Sequence, residues 1–237
     1  MNTIFWLELS WCAIPVLMVS GIYFYWNGKA SEVLYASSRM LVQLLAMGYA
    51  LVAIFANPAP ALSLVIVSIM LAIAAWIAIR PVKHHKGLLI PATLALGGSV
   101  LLHLLLSLIL VLNVESWFAP DIVIPLAGMY LANSMNAISL SVERYFAELN
   151  HNTSTTEAKQ LAFKAAMIPQ INGLLAVGLV ALPGMMTGQI LSGVSPLIAV
   201  RYQIMIMTMI LGTTGLASAL MLTFISRQRF TGAKYSK

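Results

Sequence analysis

Apolar runs about as long as a bilayer is thick dominate this sequence. A membrane-crossing helix needs about 20 mostly apolar residues. Seven stretches meet or approach that length: Ile4–Trp26, Met40–Ala56, Ala61–Ile79, Leu88–Val114, Ile122–Phe146, Ile168–Leu191 and Leu197–Ile225. The expected fold is all-α and polytopic, with about seven transmembrane helices. Composition agrees: 60% of the 237 residues are hydrophobic and 8% charged, against about 25% charged in an ordinary soluble domain. Asn57-Pro58-Ala59-Pro60 separates the second and third runs as a tight turn.

Charge sets the expected direction. If the helices alternate, every Lys and Arg except Arg201 falls on one side. These are Lys29 and Arg39, then Arg80, Lys83 and Lys86, then Arg144, Lys159 and Lys164, and the tail residues Arg227, Arg229, Lys234 and Lys237. Basic residues accumulate in cytoplasmic loops, so the N-terminus is expected outside and the C-terminus in the cytoplasm. The formal charge of +6 is a loop charge and calls for no nucleic-acid partner. No basic residue precedes Lys29, so the first run does not read as a cleavable signal peptide. Cys12 is the one cysteine, which rules out a disulfide framework within the chain.

The longest polar segment, about residues 147–166, follows the fifth run. Asn150-His151-Asn152-Thr153 should end that helix, and Ser154-Thr155-Thr156-Glu157 fits a capping box that starts another. Ala158, Leu161, Ala162 and Ala165 would share one face, with Lys159 and Gln160 opposite and an end near Pro169. Such a helix is either a solvated linker or a docking element whose apolar side enters a partner's groove.

Polar residues concentrate in the later runs. Asn133 and Asn136 in the fifth, Asn172 and Gln189 in the sixth and Gln203 in the seventh must find partners inside the protein or line a wet path. Pro183-Gly184 within the sixth run interrupts the backbone ladder beside Met185 and Met186. Methionines at such a place more often fill packing gaps than bind a solute. Arg39 and Gln43 at the start of the second run suit bracing of the bundle. His103 stands alone among leucines and valines and reads as an interhelix contact. The chain has no phosphate-binding G-x-x-x-x-G-K-[ST] loop, no H-E-x-x-H, and no lysine in its last run to hold a retinal.

The run Leu182-Pro183-Gly184-Met185-Met186-Thr187-Gly188-Gln189-Ile190-Leu191, followed by Gly193, Ser195-Pro196 and Tyr202-Gln203-Ile204, resembles the signature of FetB-type permeases. Arg39 with Val42-Gln43-Leu44, and Pro125-Leu126-Ala127-Gly128-Met129 with Asn133, are similar to the same family, so the resemblance extends from Arg39 to Phe224. It implies a single transmembrane permease domain over residues 1–237, the membrane subunit of an ABC transporter. Bacterial members are associated with iron export and resistance to oxidative stress, and plant relatives with aluminium tolerance. The implied assembly is a permease homodimer in the cell membrane with a separate cytoplasmic ATPase. ATP would act through that subunit, with no cofactor held by this chain. The 147–166 segment becomes a coupling helix in which Ser154, Glu157, Lys159, Leu161 and Phe163 meet the ATPase. Pro183, Gly184, Met185, Met186, Gln189 and Gln203 join Asn133, Asn136 and Asn172 as path or gate, and the resemblance carries no metal ligands with it. Two other readings remain at this point: a secondary transporter driven by an ion gradient, and a membrane sensor or scaffold that moves nothing.

Overall fold

The computed structural model describes residues 5–56, 59–116 and 118–227. Ile4, Asn57, Pro58, Arg229, Lys234 and Lys237 lie outside them. The described residues are helical apart from turns and one isolated bridge, between Val177 and Ala181. The backbone falls into two compact units, Met1–Asn57 and Pro58–Lys237.

In the first unit, α1 (Trp6–Ser10) and α2 (Ala13–Tyr25) are separated at Trp11-Cys12, and α3 (Ala30–Ala56) packs on α2. The expected second span thus begins ten residues early as a helix of 27 residues. Asn27, at φ 56°, makes the turn between α2 and α3. Phe24, Tyr25 and Trp26 are exposed beside it, and aromatic residues of this kind gather at a membrane–water interface.

The second unit holds α4 (Pro60–Ala78), α5 (Leu89–Leu105), α6 (Pro120–Asn150), α7 (Thr155–Ala176), α8 (Gly184–Leu191) and α9 (Pro196–Arg227). Among the described residues, five helical stretches are long and apolar enough to cross a membrane: Leu7–Tyr25, Pro60–Ala78, Leu89–Val111, Pro120–Asn150 and Pro196–Arg227. Pro60 opens α4 in the first turn, where its missing N–H costs nothing. A π-helical stretch, Leu106–Val111, continues α5.

Small residues decide how this unit packs. Ala75 and Ala78 on α4, Ala92 and Ala95 on α5, Ala127 on α6 and Ala217 on α9 are fully buried, while Leu94, Leu101, Ile109 and Leu110 point outward. Lipid is as apolar as leucine, so the burial of large apolar groups does not drive helices together there. Close backbone approach and hydrogen bonds do. Such bonds lace the described part of the unit. Ser63 Oγ donates to the Phe118 carbonyl at 2.7 Å, Ser99 Oγ to Thr213 at 2.7 Å and Ser139 Oγ to Ala78 at 2.9 Å, while the Ser107 and Tyr130 hydroxyls meet at 2.7 Å. α6 lies at the centre, against α4, α5, α7 and α9.

The expected sixth span requires correction. Residues 168–191 are not one helix, because α7 ends at Ala176 and α8 begins at Gly184. Gly178 takes φ 83°, a left-handed conformation that ends a helix, and Pro183 caps α8 in an extended conformation. Pro169 does not mark a boundary either. It lies inside α7, which runs unbroken from Thr155. The 155–166 segment and the first part of the expected span are therefore one helix.

Candidate functional site

α6, α7 and α9 enclose a groove of about 570 Å³, open along one side. Asn133, Asn136 and Leu140 reach it from α6, spaced three and four residues apart so that they share a face. Ser139 and Ala137 flank that row. Pro169, Gln170 and Gly173 contribute from α7, and Met207 and Ile210 from α9. α6 has 31 residues, which places Asn133 and Asn136 about 20 Å from either end at 1.5 Å per residue. Toward the C-terminal end the first charged residue, exposed Glu143, stands about 10 Å beyond Asn136 at the same rise.

The hydrogen-bond arrangement is asymmetric. Asn133 Nδ2 donates to the Met129 carbonyl at 2.8 Å, and Ser139 Oγ donates across to Ala78 on α4. Both side chains commit a hydrogen to backbone and leave oxygen lone pairs over. Asn136 is exposed and Gln170 half-buried. Such amides are costly at bilayer depth unless protein, water or a solute covers them.

Of the residues expected on the path, Asn133 and Asn136 come together here. Asn172 is exposed on α7 and does not line the groove. Pro183, Gly184, Met185, Met186 and Gln189 belong to the α8 segment, outside the lining. Gln203 is 7% exposed on α9, with Oε1 buried and unpartnered, as is Gln189 Oε1. Gln170 and Ser139 are polar groove residues that were not expected on the path; Gln170 is the one on α7. It lies within the expected Ile168–Leu191 run, one turn before Gly173, but periodicity does not show that this face turns toward α6 and α9.

At the start of α7, Ser154 Oγ accepts from the Glu157 amide at 3.3 Å, the serine half of the expected capping box. The expected outward apolar face is corrected. Ala158 and Ala162 are fully buried and belong to the unit's own core, against which α7 lies. Thr156, Glu157, Gln160, Phe163 and Lys164 face outward, with Lys159 and Leu161 partly covered. A partner could therefore meet only this largely polar side. Nearby, His85 stacks on Phe146 with ring centroids 3.9 Å apart and planes within 5°. Burial, and then the charge of His84, hold the His85 imidazole below its ordinary pKa. Arg144 pairs with Glu148 one turn on, and Glu148 accepts from Thr153 at 3.1 Å.

On α3, with the Gln43 amide set oxygen-first, Arg39 Nε donates to it at 3.0 Å. This pair lies within one helix. Among the described residues no three His, Cys, Asp or Glu side chains gather as a metal site.

The chain is similar to several known proteins over nearly its whole length. It is 33% identical over 243 residues to the membrane protein slr1647 of Synechocystis, covering 95% of this chain and 93% of that one. It is 30% identical over 221 residues to the probable iron export permease protein FetB of Escherichia coli, covering 86% and 83%. It is 27% identical over 224 residues to the protein ALUMINUM SENSITIVE 3 of Arabidopsis thaliana, covering 87% and 81%. No solved structure matches. Long apolar helices and these relatives make it a multi-pass membrane protein of the permease kind. The model of the uncharacterised protein family UPF0014 matches residues 6–230, and the chain belongs to that family.

Proposed function

We propose that this chain is the membrane subunit of an ATP-driven exporter. It would work as a homodimer with two copies of a separate cytoplasmic ATPase and move a metal ion, with iron as the first candidate. The observation that carries the reading is the uncharged polar groove midway along α6. Its open side suits completion by a second copy. The name of the Escherichia coli relative supports export and iron. In this reading the chain crosses the membrane seven times, with its N-terminus outside. The start of α7 then faces the cytoplasm, where Glu157 and Phe163 on its outer side would meet the ATPase. Arg39 and Gln43 would brace α3, and the α7–α8 break would let the outer half of the sixth crossing move. Met185, Met186, Gln189 and Gln203 would gate the path without lining the groove.

The test is co-purification of the full chain with a candidate ABC ATPase from the same genome, one from an adjacent reading frame if present, followed by hydrolysis measured in lipid with and without ferrous iron. Stable association and iron-stimulated hydrolysis are expected. Failure to associate removes the ABC reading. Association without any iron effect removes iron alone.

A further inference from the structure

The groove contains no carboxylate, imidazole or thiol, only amides, one hydroxyl and the Met207 thioether among apolar neighbours. It thus lacks the anionic and imidazole ligands that strip water from a transition metal. Two of its polar groups are also biased. Asn133 commits an amide hydrogen to Met129 and Ser139 its hydroxyl hydrogen to Ala78. What these two can offer a solute is mainly acceptor lone pairs. The Asn136 and Gln170 amides can turn either their carbonyl oxygens or their N–H groups toward a solute. The lining is therefore neutral, with its committed groups, Asn133 and Ser139, turned toward acceptance and its two other amides able to follow, which suits a solute whose outer surface is made of donors.

We propose that the groove recognises a cation still carrying its bound water, through hydrogen bonds from that water to side-chain oxygens, without direct side-chain ligation of the metal. This rests on reading the groove as the solute path. Water held by a cation is polarised and donates strongly, while its oxygens are turned inward to the metal. Six waters take roughly 180 Å³ at about 30 Å³ each, so a hexahydrated ion fits within about 570 Å³. The absence of fixed charge also keeps binding weak enough for release.

Substitution-inert complexes test this because they cannot exchange ligands with protein. The full chain is placed in lipid nanodiscs and dialysed against hexaamminecobalt(III), whose shell is all N–H donors. A parallel sample meets tris(oxalato)cobaltate(III), whose shell is all acceptors. The hexaammine complex is expected to bind and the oxalato complex not. Asn136→Leu, which removes an exposed side chain, should weaken binding about tenfold, the loss of one good hydrogen bond. Asn133→Leu should weaken it similarly, and Ser68→Ala, outside the groove, should not. Binding unaffected by both asparagine variants, equal binding of the oxalato complex, or no binding at all overturns the proposal. Failure of the transport reading shows separately, as absent ATP-dependent flux in proteoliposomes containing the ATPase, and leaves the dialysis result intact.

Discussion

The imidazole of His103 rests against α9 at Gly212, and the fit depends on the glycine. A Cβ at position 212 would overlap His103 Nε2 and lie 3.0 Å from its Cδ2. The other ring nitrogen, Nδ1, bonds the Ser99 carbonyl at 2.8 Å and so carries the hydrogen. Ser99 in turn donates to Thr213, beside Gly212. The ring is thus fixed on its own helix while α9 closes over it. Gly212→Ala should therefore cost about 1–3 kcal/mol through overpacking. At Gly173 the nearest atom is Met207 Cε at 3.9 Å, so Gly173→Ala should be tolerated. Thermal unfolding of the purified variants checks the contrast. His103→Ala should restore much of the Gly212→Ala loss, and no restoration would mean the clash lies elsewhere.

Tyr130 is fully buried and shares a hydrogen bond with Ser107, which also donates to the His103 carbonyl at 2.7 Å. Tyr130→Phe keeps the ring and removes one interhelix bond, worth about 0.6 kcal/mol in a membrane bundle. A double-mutant cycle with Ser107→Ala should return a coupling of that size. Additive losses would show the pair does not interact.

The His85–Phe146 stack gives a pH dependence. His85 has a lowered pKa in the folded chain, through burial first and the charge of His84 second, relative to 6.5. Below 6.5 the unfolded chain binds the proton more readily than the folded one, so stability falls as pH drops below that value. Above it the contribution is constant. Amide protection factors around Arg144–Glu148, with each rate divided by its intrinsic rate at the same pH, should fall as pH drops from 7.5 to 5.5. His85→Phe should flatten that response, and an unchanged slope would assign it to another group.

How far the sequence revealed this arrangement depended on which signal was local. The long α4, α6 and α9 were readable because apolar length is local, and Ser154 because capping chemistry lies within four residues. Pro169 misled because a proline often ends a helix, but packing of Ala158, Ala162 and Ala166 holds α7 together through it. The buried alanine face read as a docking face, since periodicity shows that a face is apolar and not what covers it. Asn133 and Asn136 were legible as costly residues, whereas Gln170 joined them only through the packing of α7 against α6 and α9, which no local pattern shows.

Ser154→Ala should remove the bond to the Glu157 amide. Loss of an N-cap costs about 1 kcal/mol. Because the buried alanines sit further along α7, the effect should stay in the first turn. Faster amide exchange at Thr156–Ala158 with an unchanged melting temperature is the expected pattern. A large drop in melting temperature would instead show that this turn supports the whole unit.

Gly178 joins α7 to α8 at φ 83°, where a Cβ meets no neighbour but the backbone itself resists a side chain. Left-handed conformation costs an L-residue about 1–2 kcal/mol. Gly178→Ala should lower stability by that amount through strain alone, while Gly178→Asn, which tolerates the region better, should recover part of it. Thermal unfolding ranks the three side chains. If alanine proved as stable as glycine, the segment from Val177 to Pro183 would have to settle into another conformation. The break between α7 and α8 would then be a feature the chain can give up, and the proposed movement of α8 would lose its hinge.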